Sequence, residues 1–289
     1  MSRRNSDRLG GGKRQSAASP PTAQPNQQPE GFSFIVPTDF VDLPSRGRHY
    51  PESHPLHGLD VIEIRHMTAK EEDILTSKTL LKKGLALDRL LKNVIVDKQI
   101  NADSLLVGDR NAIIVATRIS GYGNIYETKV SCPACQTTQK YSFNLDDHQV
   151  YHGDLFDQNE QMNVSKNEDG TFDIVLPATN ITVTIKLLTG KEEKNYLSNL
   201  EEDKKRKLTE RTVTRQLMNL IVAVNSSENH EHIKYVVDNL PSIDSRHIRN
   251  VYKLVNPNID LSQIFECSEC GHEAEMEVPL SADFFWPDS

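Results

Sequence analysis

From Phe32 onward, apolar and polar positions follow one order that occurs twice along the chain. Val61-Ile62-Glu63-Ile64-Arg65 alternates with a period of two, which predicts a strand, and it runs into Thr68-Ala69-Lys70-Glu71, the spacing of a helix capping box. Ile74, Leu75, Leu80, Leu81, Leu85, Leu87, Leu90, Leu91, Val94 and Ile95 then recur at helical spacing, with Gly84 as a break between two helices. A further helix is predicted from Asp103 or Asp109, turning Ile113, Ile114 and Ala116 inward. Ile185-Lys186-Leu187-Leu188-Thr189-Gly190-Lys191-Glu192 repeats the strand and its Thr-x-x-Glu cap. At one constant later spacing, Leu105 pairs with Leu240, Asp109 with Asp244, Ile113 with Ile248, Cys132 with Cys267 and Cys135 with Cys270. After each cysteine pair comes an alternating strand, Tyr141, Phe143 and Leu145 in the first case and Met276, Val278 and Leu280 in the second. The pattern therefore predicts an α+β fold built from a tandem duplicated unit of strand, helices, knuckle and strand, with the two copies forming one scaffold about a pseudo-twofold axis.

Boundaries follow from where the pattern stops. Residues 1–31 hold Gly, Ser, Gln and Pro with Arg3, Arg4, Arg8, Lys13 and Arg14, and have almost nothing to bury, so they read as a disordered basic tail. They carry no apolar stretch of the kind a secretory leader needs. Residues 32–145 form the first unit, opening on Phe32, Phe34 and Val36 and on a turn-rich loop from Leu43 to Pro51. Residues 146–170 read as an acidic, solvated linker that ends in a hairpin turn at Asn167 to Gly170, and residues 171–289 form the second unit. The helix after Thr189 mixes both charges through Lys207, as a solvent-facing helix does.

Composition narrows the function. With 33 Lys and Arg against 41 Asp and Glu, the net charge is -8, which argues against a polyanion as the main partner. The longest apolar stretches, such as Ala112 to Ala116, fall far short of the ~18 residues of a membrane helix. The chain has 4 cysteines, all in the pairs Cys132-Pro-Ala-Cys135 and Cys267-Ser-Glu-Cys270-Gly271. Two intervening residues let a tight turn aim both thiolates at one ion ~2.3 Å away, with Pro133 and Gly271 supplying turn dihedrals. Cys132, Cys135, Cys267 and Cys270 are thus candidate ligands of one structural Zn2+, brought together by the symmetry of the two units and leaving no open coordination position. Disulfide-linked or buried cysteines and a thiol redox pair are the competing readings. His272 reads as a bystander or as a donor to a ligand.

No catalytic or cofactor-binding residues emerge, since none of the common phosphate, dinucleotide, serine-nucleophile or metalloprotease motifs is present. His49, His54 and His57 cluster in a proline-rich loop and read as polar loop groups, and Lys204 to Lys207 follows Glu201, Glu202 and Asp203 as one face of a solvated helix. Phe284-Phe285-Trp286 at the C-terminus either folds back on the core or docks on a neighbour.

Five of these patterns together carry a resemblance. The Leu43-Pro44-Ser45-Arg46-Gly47 to Tyr50-Pro51 loop, Met67 to Leu75, Leu105 to Arg110, the two knuckles and Phe284 to Pro287 resemble the baseplate hub protein family of T-even-type contractile-tailed bacteriophages. The resemblance implies a non-enzymatic virion structural or assembly role in the hub of a contractile tail, in the virion or in the host cytoplasm during viral tail assembly. It implies other hub and tail proteins as partners in protein-protein interaction, leaves a homo-oligomer open, and implies neither nucleic acid nor membrane. The metal-binding expectation comes from this chain's own cysteines. The alternative is a zinc-ribbon module that binds nucleic acid in transcription, which predicts a basic, aromatic-dotted face beside the metal. Glu266, Glu269, Glu273, Glu275 and Glu277 flank the second knuckle instead.

Overall fold

The alternation at Val61 to Arg65 becomes strand β2 (Val61–Arg65), paired antiparallel with β1 (Thr38–Asp42), and its inward residues Ile62 and Ile64 are buried. The computed structural model describes residues 35–82, 84–154, 162–205, 211–279 and 282–285, and residues from Val36 onward form one contact unit. The expected basic tail, with Phe32 and Phe34, lies outside the described residues.

The chain continues through helices α1 (Ala69–Thr76), α2 (Lys78–Lys82), α3 (Ala86–Val94) and α4 (Val107–Tyr122) into a hairpin of β3 (Ile125–Ser131) and β4 (Thr138–Asn144). Two breaks divide the predicted helical stretch where one was expected. Ser77 turns extended and caps α1 through its amide on the Ile74 carbonyl, and Gly84 adopts φ +64° between α2 and α3. After β5 (Gln149–Tyr151) and β6 (Val164–Lys166) come β7 (Phe172–Val175), β8 (Thr182–Ile185), α5 (Gly190–Lys205), α6 (Thr212–Leu220), β9 (Ile221–Val224), α7 (His230–Asn239) and α8 (Ser242–Val255). Strand β10 (Asn258–Asp260) leads into the second hairpin, β11 (Ser262–Glu266) and β12 (Glu273–Glu277). Strands β6 to β9 form one antiparallel sheet in sequence order. The hairpin turn expected at Asn167 to Gly170 joins β6 to β7, while β5, inside the acidic segment, pairs with β10. Net acidity had hidden β5, whose partner lies more than a hundred residues away.

Equivalent sequence positions perform the same local task. At the first occurrence of the sequence pattern, the Asp109 carboxylate, in the first turn of α4, accepts hydrogen bonds from the Ser45 amide (2.9 Å), the Ser45 hydroxyl (2.6 Å) and the Tyr50 hydroxyl (2.7 Å), tying down the loop between β1 and β2. At the second, Asp244, in the first turn of α8, accepts from the Ala178 amide (2.8 Å), the Thr179 amide (3.1 Å) and the Thr179 hydroxyl (2.8 Å), tying down the loop between β7 and β8. The capping box at Thr68 forms and Glu192 makes the matching contacts at Thr189, each with a cation at the end of the preceding strand or just past it. Glu71 accepts from the Thr68 amide and hydroxyl and takes a two-pronged bond from Arg65. Glu192 accepts from the Thr189 amide and hydroxyl and pairs with Lys186. Ile64 bridges Ile95 just as Ile185 pairs with Ile221.

One continuous apolar core runs through both sets of elements, from Leu90, Ile113 and Tyr126 to Phe172, Ile185 and Phe265. Backbone joins them as well, since the Val107 amide bonds the Leu188 carbonyl and the Gly190 amide bonds the Leu105 carbonyl. Buried Asp88 on α3 receives both Arg110 and Lys194. A Cβ on Gly108 would sit 2.0 Å from the Pro257 carbonyl oxygen, so glycine is what lets α4 meet the segment entering β10. At the C-terminus, Phe284 and Phe285 fold back and are buried. Arg118, fully buried, donates to the carbonyls of Phe284 (2.8 Å), Gly123 (2.8 Å) and Ile125 (3.3 Å), and the Phe284 ring meets Tyr126 edge-on at 5.2 Å. Trp286 lies outside the described residues.

Two measurements check this arrangement. Burial alone would raise the Glu71 carboxyl, but Arg65 and Thr68 outweigh it and hold the group at about 2, against an ordinary 4.5. The ionised Glu71 therefore adds stability above pH 4.5 that is lost as pH falls toward about 2. Glu71→Gln should flatten that part of the acid-unfolding profile and cost about 1–3 kcal/mol at neutral pH. Phe284→Ala should lower stability by about 3–5 kcal/mol in urea unfolding, because the aromatic ring leaves a cavity beside Arg118 and Tyr126.

Candidate metal centre

Each cysteine pair sits at the tip of a two-stranded hairpin, and the two tips are built alike. In β3–β4 the ladder ends at Ser131 opposite Thr138; the Cys132 amide then bonds the Thr137 carbonyl (3.0 Å) and the Gln136 amide bonds the Cys132 carbonyl (2.9 Å). In β11–β12 the ladder ends at Glu266 opposite Glu273; the Cys267 amide bonds the His272 carbonyl (3.0 Å) and the Gly271 amide bonds the Cys267 carbonyl (2.9 Å). Gly271 takes φ +66° at no steric cost, whereas Gln136 takes φ +64° at the matching position. A side chain forced into that region costs ~1–2 kcal/mol, so the first knuckle holds a strained residue where the second has glycine. The first cysteine of each pair, Cys132 and Cys267, is buried, and the second, Cys135 and Cys270, is exposed.

The four sulfurs come together across the hairpins. Cys132 Sγ lies 3.8 Å from Cys270 Sγ, and Cys135 Sγ lies 3.6 Å from Cys267 Sγ. All four lie within 4.8 Å of one another. A disulfide needs ~2.05 Å, whereas a tetrahedron of thiolates around an ion at ~2.3 Å has edges of ~3.8 Å. The cysteines are free, and their spacing fits the tetrahedron.

Their acidities diverge. Hydrogen bonds from the Thr137 hydroxyl and amide bring the Cys135 thiol down to about 6. At Cys270 the His272 amide also pulls downward, but desolvation and the neighbouring thiols push the group up to about 12. Four thiols this close repel one another once ionised, and a dication at their centre removes that repulsion.

Side chains along the hairpins hold the tips in place without any metal. Gln139 bonds the Glu266 carbonyl (3.1 Å) through its amide nitrogen, and its oxygen accepts from the Ser268 amide (3.0 Å) and hydroxyl (2.9 Å). Gln263 brackets the Asn144 backbone in the same way, at 3.1 and 2.7 Å. The Tyr141 hydroxyl donates to the Ile264 carbonyl (2.7 Å), and its ring meets Phe265 at 5.2 Å. Sequence reasoning missed Gln139 and Gln263; the available signal was a long amide at an inward-facing position of a strand beside each knuckle.

Other candidates stay apart from this cluster. Among the described residues the one group of metal-ligating side chains is the four cysteines, without His272. His54 Nε2 bonds Ser104 Oγ (2.8 Å) and His57 Nδ1 bonds the Tyr50 carbonyl (2.7 Å), while burial, then Lys166 and Arg48, lower His49 to about 4. Lys204 and Lys205 end α5, and Arg206 and Lys207 lie outside the described residues. Glu266, Glu269, Glu273, Glu275 and Glu277 are all exposed around the second knuckle. No helix among the described residues is long and apolar enough to cross a membrane.

No curated protein and no solved structure matches the chain. One family does, described as T4 bacteriophage base plate protein, over residues 37–286, a span that takes in both hairpins and all four cysteines. The chain belongs to the T4 bacteriophage base plate protein family.

Proposed function

We propose that the chain is a non-enzymatic structural or assembly component of the baseplate hub of a contractile phage tail, working as a zinc-clamped docking scaffold. Residues 32–145 and 171–289 are the two copies of a tandem duplication, joined by residues 146–170, and Cys132, Cys135, Cys267 and Cys270 hold one structural Zn2+ between them. The observation that carries the reading is the convergence of four sulfurs from two hairpins more than a hundred residues apart in sequence. The paired Asp109 and Asp244 loops, the paired Thr-x-x-Glu contacts and the matching knuckle turns support the duplication. A metal held by four thiolates has no position for water or substrate, which suits a clamp rather than a catalyst. Other hub and tail proteins are the partners on this reading, and the clamp holds their docking surfaces at one relative orientation. Nucleic acid is disfavoured by the exposed glutamates beside the metal, which repel phosphate.

The purified chain is expected to carry one zinc, released when its thiols are modified. The double substitution Cys132→Ala and Cys267→Ala should abolish the metal, lower stability by several kcal/mol and block tail assembly in a complementation assay. A metal-free double variant that is stable and still supports normal tails would refute the clamp.

A further inference from the structure

Each hairpin has a second face that is exposed among the described residues. Residues alternate across a strand, so the inner faces meet through Tyr141 and Phe265 while the outer faces point away from each other. On the outer face of β11–β12, Glu266 stands directly opposite Glu273, and Glu275 stands opposite Ile264, which is 65% exposed. On the outer face of β3–β4, Lys129 stands directly opposite Lys140, with Glu127 as the one carboxylate on that face. All of these charged residues are exposed, and among the described residues none of them takes part in an ion pair. Like charges placed directly across a ladder destabilise it by a few tenths of a kcal/mol or more, ~0.2–1. Both hairpins carry such a pair, of opposite sign.

We propose that the Glu266, Glu273 and Glu275 face of one copy docks on the Lys129 and Lys140 face of the next, so that the chain associates with itself head to tail. The acidic face repels a second acidic face, which rules out a twofold dimer through it and leaves the heterologous contact. Such a contact closes into a ring or extends as a filament, according to the rotation between copies. Lysine stems cover the exposed Ile264 while their ammonium groups reach the carboxylates, giving an apolar centre with a charged rim. Charge sets the orientation and the rate of encounter more than the strength of the contact, so the association depends on salt. The inference rests on the clamp reading, because a closed clasp keeps the two faces back to back.

Sedimentation velocity of the full chain, at ~50 and ~500 mM salt with zinc content measured on the same samples, tests it. Species larger than the monomer are expected at low salt and lost at high salt. Lys129→Glu with Lys140→Glu, and separately Glu273→Lys with Glu275→Lys, should each weaken association at least ~10-fold, and mixing the two double variants should restore a complex, since one then offers only acidic faces and the other only basic ones. A zinc-loaded native chain that stays monomeric at low salt, or double variants that assemble like the native chain, would overturn the docking. A zinc-free chain that associates in the same salt-dependent way would overturn the clamp instead.

Discussion

Four thiols drawn from two distant hairpins share a space less than 5 Å across, and that crowding has to be resolved where the two tips meet. Left alone, the group splits into an acidic thiol at Cys135 and a reluctant one at Cys270. With a dication at the centre, all four become equivalent ligands and repulsion becomes attraction. The hairpins do not start from disorder, because Gln139, Gln263 and Tyr141 already zip them together along their length. Hydrogen bonds set the register of the two hairpins and bring the four sulfurs together at their tips.

Behind the clasp, the two sets of elements are held by devices that operate over very different distances. The capping box at Thr68 and the matching contacts at Thr189 are local, and they orient α1 and α5 against their preceding strands. Asp109 and Asp244 act over more than sixty residues, each fixing a loop that is distant in sequence. The shared core, the Leu105 to Gly190 backbone contacts and the Asp88 cluster then bind the two sets to each other. On the proposed reading, core packing ties the scaffold at its middle and a metal would tie it at its edge, so that shear and rotation of docking surfaces are both resisted.

Much of this was legible from residues alone wherever the signal is local. Period-two alternation marked β2 to the residue, and Thr-x-x-Glu marked the starts of α1 and α5. The spacing that pairs Asp109 with Asp244 and the two knuckles with each other picked out positions that do the same work in the fold. Long-range partners left no such trace. A long amide at an inward-facing strand position marks Gln139 and Gln263 but does not say that the partner is backbone on the opposite hairpin, and β5 was hidden in an acidic stretch because its partner β10 lies more than a hundred residues away. Gln136 escaped notice because a glutamine in a left-handed turn contradicts local preference, and only the matching glycine at 271 reveals the demand. The buried Arg118 gave no warning either, since its partners are carbonyl oxygens of a C-terminal segment whose fold-back the sequence left undecided.

The most direct test of the central claim is X-ray absorption at the zinc edge on the native, untreated chain. Four-cysteine coordination predicts a first shell of four sulfurs at ~2.3 Å, with no nitrogen or oxygen scatterer at bonding distance. A shell containing imidazole nitrogen or water oxygen, or a chain that carries no zinc and holds its cysteines as disulfides, would contradict it.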